Sequence, residues 1–293
     1  MSSTVGARLK NDGTLLTAGS FDEQGDVHTG HKVTVDTIFA DELDEITLPN
    51  GQPSGGSILL DGTSQKLEIS GSADFQFGTD AFTVEGWFKT SSTDYQRLWS
   101  FTTGDNVEIM GSAVYYWNGA DLPISSGNNT FALNQWFHVA LVKNGGIAKV
   151  YINGRELISD NNAYNSTSSR PLSIGGENDG YFAGNITNFR VVKGIAVYTA
   201  DFSTPIAPFS ATQASSVNIS AITGSETKLL LIAASSGALT TDTSGTSKSV
   251  TNTGGASYDS ATPLSITYNG AMKQHRGGEL LVSNEFDEVT GIV

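Results

Sequence analysis

The sequence predicts an all-β chain, folded as an antiparallel sandwich with a short extended segment on either side. Three observations lead there. Short apolar runs alternate with clusters of Gly, Asn, Ser and Thr, and 33 of the 293 residues are glycine, the punctuation of strands and tight turns. No long stretch repeats its apolar residues at the 3.6-residue period of a helix. All four tryptophans and most of the Phe and Tyr fall between residues 55 and 268, so the core must lie there. A core of that size needs no covalent staple, and the absence of cysteine removes disulfides and thiolate metal sites from consideration.

The elements follow in order. Residues 1–54 carry few large apolar side chains and run out through Pro49-Asn50-Gly51-Gln52-Pro53, a stretch with linker chemistry. Ala81–Lys89 alternates in the manner of a half-buried strand. Gln135–Lys143 is more densely apolar and reads as a central strand. It breaks at Asn144-Gly145-Gly146, resumes over Ile147–Ile152, and turns at Asn153-Gly154 into Arg155–Ile158. Asn-Gly accommodates the two positive φ angles of a type I′ turn, so these three segments form a meander. Residues 269–293 make a short mixed tail.

A formal net charge of −14 repels nucleic-acid phosphates and anionic membranes, which excludes nucleic acid as an expected partner. No window approaches the roughly 20 apolar residues of a membrane span, so no membrane insertion is expected. The first ten residues lack the apolar centre of a signal peptide.

Several of these segments together resemble the concanavalin A-like, laminin-G-like domains. Trp136-Phe137-His138-Val139 with Val150-Tyr151-Ile152-Asn153-Gly154 looks like their central hairpin. Ser57-Ile58-Leu59-Leu60-Asp61-Gly62 and Phe82–Trp87 look like their early strands, and Ser173–Gly176, Phe182–Arg190 and Lys228–Leu231 like their late ones. The resemblance implies a jelly-roll sandwich over residues 55–268, without saying which ligand it serves. The tract Val191–Phe202, with Pro205 and Pro208 behind it, is similar to copies found in phage and marine-virus structural proteins. That resemblance implies a virion component made in the host cytoplasm, partnered by other virion proteins and by further copies of itself in a homo-oligomer.

The two flanks resemble each other. Leu15-Leu16 followed by Phe21-Asp22-Glu23 lines up with Leu280-Leu281 followed by Phe286-Asp287-Glu288, and Leu43-Asp44-Glu45 is a shorter third copy. Chance similarity in a simple composition is the plain explanation. The functional one is that both ends form one strand-turn element that pairs with a sheet edge and holds the domain to its neighbours. Residues 1–54 and 269–293 are therefore expected to be assembly segments.

Candidate chemistry is sparse. Asp41-Glu42-Leu43-Asp44-Glu45-Ile46-Thr47 imitates the alternating carboxylates of some glycosidases, but the next position on the face of Glu42 and Asp44 is Ile46, so no enzyme is expected. His28 and His31 have a spacing that shares a face only on a helix, and Gly30 argues for a turn. No cofactor is expected; calcium is the one ion the loops would admit, through Glu177-Asn178-Asp179-Gly180 with Asp61 or Asp121, against the plainer reading of an acidic turn. Sugars bind where an aromatic face stacks on the ring and amides or carboxylates hold the hydroxyls. That chemistry singles out Tyr95, Trp117, Tyr164, Asn178, Asp179 and Tyr181 as candidates for contact with a host-surface polysaccharide. Trp87, Trp99 and Trp136 lie in strand patterns and are expected to be core. The readings left in play are a phage virion protein displaying a jelly roll, a carbohydrate-binding lectin module, and a glycoside hydrolase in third place.

Overall fold

The computed structural model describes residues 55–102, 104–161, 168–177, 180–205 and 207–263, with the backbone of four short strands nearer the ends. The chain divides into two compact units, Met1–Gly51 with Ile266–Val293, and Gln52–Ser265. In the first unit, β1 (Arg8–Leu9) and β2 (Leu15–Leu16) form an antiparallel hairpin.

The second unit is built from β3 (Ser57–Asp61), β4 (Lys66–Ser72), β5 (Phe82–Thr90), β6 (Gln96–Phe101), β7 (Gly104–Met110), β8 (Ala113–Trp117) and β9 (Ile124–Ser125). There follow β10 (Phe137–Asn144), β11 (Ile147–Ile152), β12 (Arg155–Asp160), β13 (Arg170–Ile174), β14 (Gly176–Glu177) and β15 (Gly180–Tyr181). It ends with β16 (Ala183–Lys193), β17 (Thr227–Leu231), β18 (Val250–Thr253) and β19 (Ser257–Asp259). The first unit closes with the hairpin of β20 (Lys273–His275) and β21 (Glu279–Leu281). Among the described residues there is no α-helix, and no helix is long and apolar enough to cross a membrane.

These strands make a concanavalin A-like jelly-roll sandwich of two antiparallel sheets. One sheet runs β12-β11-β10-β5-β16-β3-β19, with β17 taking over from β3 along the second half of the long β16. The other runs β18-β4-β13-β6-β7-β8-β9. The β10-β11-β12 meander is in place, and Asn153 and Gly154 take φ of 50° and 79°, as a type I′ turn demands.

The core lies between the sheets, where alternate residues of each strand face inward. Its centre is a chain of rings: Trp99 from one sheet lies 5.9 Å from Phe88 and 5.7 Å from Phe189 of the other, with Phe137 and Phe182 each about one ring beyond Phe88. At one end Arg170 reaches Asp105 at 2.9 Å inside the sandwich and stands over the ring of Phe101.

Strand β5 departs from the sequence expectation. Its alternation predicts one wet face, yet Phe82–Phe88 is buried throughout. The reason is that residues 194–226 fold back across the outer face of the larger sheet. Val197, Tyr198 and Ile222 pack on Ala140, Val142, Tyr151 and Val192, while Phe209 packs on Trp87 and Leu230. The tract Val191–Phe202 is thus partly the end of β16 and partly this cover.

Candidate functional site

The smaller sheet turns its other face outward, and that face is polar. In β4, Leu67 and Ile69 enter the core, so Lys66, Glu68 and Ser70 point away; in β13, Leu172 and Ile174 enter, leaving Pro171 and Ser173 outside. Strand register then aligns these residues across the sheet. Thr251 of β18 stands opposite Glu68, Glu68 opposite Ser173, and Ser173 opposite Ser100 of β6. A second row runs Arg97–Glu108–Tyr115–Ser125 through β6, β7, β8 and β9. On the same face Asn106 stands opposite Trp117.

A groove with a cavity of about 380 Å³ lies over the first row, bounded by Glu68, Ser100, Ser173, Thr251 and Glu177. Glu177 belongs to the β14–β15 hairpin, which bends back over the sheet directly after β13. Gly175 permits that bend: its φ is +79°, and a Cβ there would stand 2.3 Å from Leu60 Cδ1. The hairpin brings Glu177 down so that Ser100 Oγ donates to its Oε2 at 2.5 Å. Arg97 Nη1 lies 3.7 Å from the same oxygen, while Arg97 Nε lies 3.3 Å from Glu108. On the other wall Thr253 Oγ1 donates to Glu68, and Lys66 Nζ pairs with Glu68 at 2.9 Å. The hydroxyl of Thr253 first, then Lys66, hold the Glu68 carboxyl below the usual carboxylate range.

Of the residues singled out from sequence, Tyr95 and Tyr181 lie against the β14–β15 hairpin that carries Glu177, and neither lines the groove. Tyr95 OH accepts from Arg97 Nε at 3.0 Å, and its ring lies against Gly180, where a Cβ would come within 2.8 Å of Tyr95 Cε1. Burial, with Glu108 nearby, pushes the Tyr95 phenol up to about 12. Tyr181 follows Gly180 and packs on Gly176. Trp117 is on the same sheet face but further along, its Nε1 donating to the Asp121 carbonyl at 2.9 Å. Tyr164, Asn178 and Asp179 lie outside the described residues. So do His28, His31, the 41–47 acidic stretch including Leu43, Asp44 and Glu45, and Phe21, Asp22, Glu23, Phe286, Asp287 and Glu288. Leu15 and Leu16 form β2, and Leu280 and Leu281 belong to β21.

The two acids named beside the calcium loop are engaged elsewhere. Asp61 Oδ1 accepts from the amides of Thr63, Ser64 and Gln65, which hold its carboxyl at about 2, and Asp121 accepts from Asn118. Among the described residues no group of three or more His, Asp or Glu side chains is placed to hold a metal ion.

Sequence reasoning missed Glu68, Arg97, Ser100, Ser173 and Thr251. Each looks like an ordinary polar alternate of a strand; the available signal was the strict alternation of Lys66–Ser70 and Arg170–Ile174. It also missed a buried quartet beneath the 194–226 cover. Glu85 there accepts from Arg190 Nε and Nη2 at 2.9 and 2.6 Å and from Tyr198 OH at 2.6 Å, with His138 Nε2 at 3.2 Å. All four side chains are buried. The quartet locks the fold and meets no solvent.

A search of curated proteins finds no match. Among solved structures, the chain is similar to the heptameric SAP-like pentraxin of Limulus polyphemus, at 18% identity over 49% of this chain and 79% of that one, with a TM-score of 0.39. It is also similar to the LG4-5 domains of the mouse laminin α1 chain, at 14% identity over 51% and 46% of the two chains and a TM-score of 0.36. A third likeness is to domain 4 of an extracellular arabinanase from Geobacillus stearothermophilus, in complex with arabinotriose, at 18% identity over 47% and 70% and a TM-score of 0.39. The chain spans about half the length of the laminin fragment. At family level, residues 61–196 match the laminin-G-type model of the concanavalin A-like lectin/glucanases superfamily, the span from the end of β3 to the start of the 194–226 cover.

Proposed function

We propose that this protein is a non-catalytic carbohydrate-binding module that presents the groove of its smaller sheet to a polysaccharide. One observation carries this reading. Carboxylates and hydroxyls of Glu68, Glu177, Ser100 and Ser173 converge on one open cavity. That set of hydrogen-bonding groups in an open groove suits the hydroxyls of a sugar. The superfamily match over residues 61–196 agrees with it.

Hydrolysis is the weaker reading. A glycosidase requires one carboxyl kept protonated at working pH to protonate the leaving oxygen. Glu68 is held the opposite way by Thr253 and Lys66. Titration calorimetry of the full chain against neutral oligosaccharides tests the proposal. Binding is expected, and is expected to vanish in Thr251→Trp, which fills the cavity from the sheet's edge strand. Unchanged affinity in that variant would remove the groove from the account.

For context, we read the module as part of a phage-type virion, displayed outward and held by its flanks. The resemblance of Val191–Phe202 to phage structural proteins supports this. So does the matched pairing of the terminal hairpins, in which Arg8 faces Leu16 and Lys273 faces Leu281. Light scattering of the full chain and of a chain lacking residues 1–51 is the check. An oligomer that persists without that flank would contradict an assembly role for it.

A further inference from the structure

We infer that the groove selects uncharged, hydroxyl-rich saccharides and rejects those bearing carboxylate or sulfate groups; this rests on the carbohydrate-binding reading above and specifies its ligand class. The argument is an inventory of donors and acceptors. Three hydroxyl hydrogens at the groove are already committed: Ser100 donates to Glu177, Ser173 to the Gly176 carbonyl, and Thr253 to Glu68, while Ser70, Thr102 and Thr251 line the groove with hydroxyls of their own. An ionised carboxylate only accepts, and a hydroxyl that has given its proton has only lone pairs left to offer. Where these bonds are made the floor presents acceptors, and the charged groups in the lining are the carboxylates of Glu68 and Glu177.

The cations beside the groove do not reverse this. Arg97 lies between Glu108 at 3.3 Å and Glu177 at 3.7 Å, and Lys66 is paired with Glu68 at 2.9 Å. Each positive side chain is matched by at least one carboxylate at close range. A ligand must accordingly bring its own donors. A neutral sugar does so with every ring hydroxyl. A uronic, sialic or sulfated unit instead brings a charged acceptor-only group toward Glu68 and Glu177, and such like charges repel more strongly in a partly desolvated cleft than in water. The chain's net charge of −14 works in the same direction at longer range.

The experiment pairs two ligands that differ at C6 alone: a neutral oligosaccharide and the oligouronate of the same linkage, in which each C6 hydroxymethyl is oxidised to a carboxylate. Both are titrated into the full chain at low and at physiological salt. The oligouronate is expected to bind at least about tenfold more weakly, with the gap narrowing as salt rises. The gap should also narrow in Glu177→Gln, whose amide adds a donor and removes the charge; circular dichroism establishes that the variant folds, and Glu68→Gln serves in its place if it does not. Equal or tighter binding of the oligouronate overturns this inference and leaves carbohydrate binding standing. A gap unchanged in the glutamine variant that folds overturns it too, because the discrimination then arises away from the groove. Binding of neither ligand overturns the carbohydrate reading and this inference with it.

Discussion

Arg190 places Nε and Nη2 at 2.9 and 2.6 Å from one oxygen of Glu85, and its remaining bonds, from Nη1 to the Ser210 carbonyl and from Nη2 to Gln213, reach across to the 194–226 cover. One arginine thereby ties the larger sheet to the segment that hides it. The other carboxylate oxygen of Glu85 takes Tyr198 from the same cover. This polar knot is the reason a strand patterned for one wet face has none.

Breaking the knot should be expensive. Removing one partner leaves the other charge buried and unmatched, a loss of about 3–5 kcal/mol. Arg190→Met is expected to lower the urea-unfolding stability by that amount. A loss under about 1 kcal/mol would mean that water reaches Glu85 in the folded state.

The same carboxylate makes stability depend on pH. Burial opposes its ionisation, but Arg190 first, then His138 and Tyr198, outweigh that and bring it from 4.5 to about 2. The folded-state value lies below the unfolded one, so the stabilisation is complete above about pH 4.5 and fades as pH falls toward about 2. Urea midpoints measured across that window should drop with acid, with a shallower slope in Glu85→Gln if that variant folds. Equal slopes would assign the acid sensitivity to other carboxylates.

Gly154 tests how the cover is seated. Its φ is +79°, and a Cβ there would lie 2.0 Å from the Phe202 carbonyl oxygen. Gly154→Ala therefore meets both backbone strain and a collision with the cover. A destabilisation of about 1–3 kcal/mol is expected, with faster amide exchange over residues 195–205. Wild-type exchange in that segment would show that the cover does not depend on the turn.

Asn106 sets stability against binding. It stands on the polar face of β7 opposite Trp117, and its buried Oδ1 has no hydrogen-bond partner among the described residues. An unsatisfied buried acceptor costs about 1–3 kcal/mol, and Val suits a strand better than Asn does. Asn106→Val should raise the melting temperature by a few degrees while weakening glycan affinity. A variant that melts lower would indicate that Asn106 supports the sheet, and undiminished affinity would remove it from the binding face.

What the sequence determined by itself is local. Alternation over Ala81–Lys89 and Gln135–Lys143, with Asn-Gly at 153–154, specifies strands and the turn between them, because side-chain direction in a strand and the φ demanded by a hairpin are properties of adjacent residues. Tyr95 and Tyr181 were singled out from sequence on the same local footing, since an aromatic beside polar loop residues is visible in a short window, but neither lines the groove. The groove itself was not legible. Thr251, Glu68, Ser173 and Ser100 are 183, 105 and 73 residues apart in successive order along their row, and only strand register makes them neighbours. The burial of Glu85 was equally invisible, since it depends on a segment more than a hundred residues downstream folding back over β5. Pairing between distant strands, and what then covers a sheet, are decided by the packing of the whole sandwich, and that is where the candidate site was made.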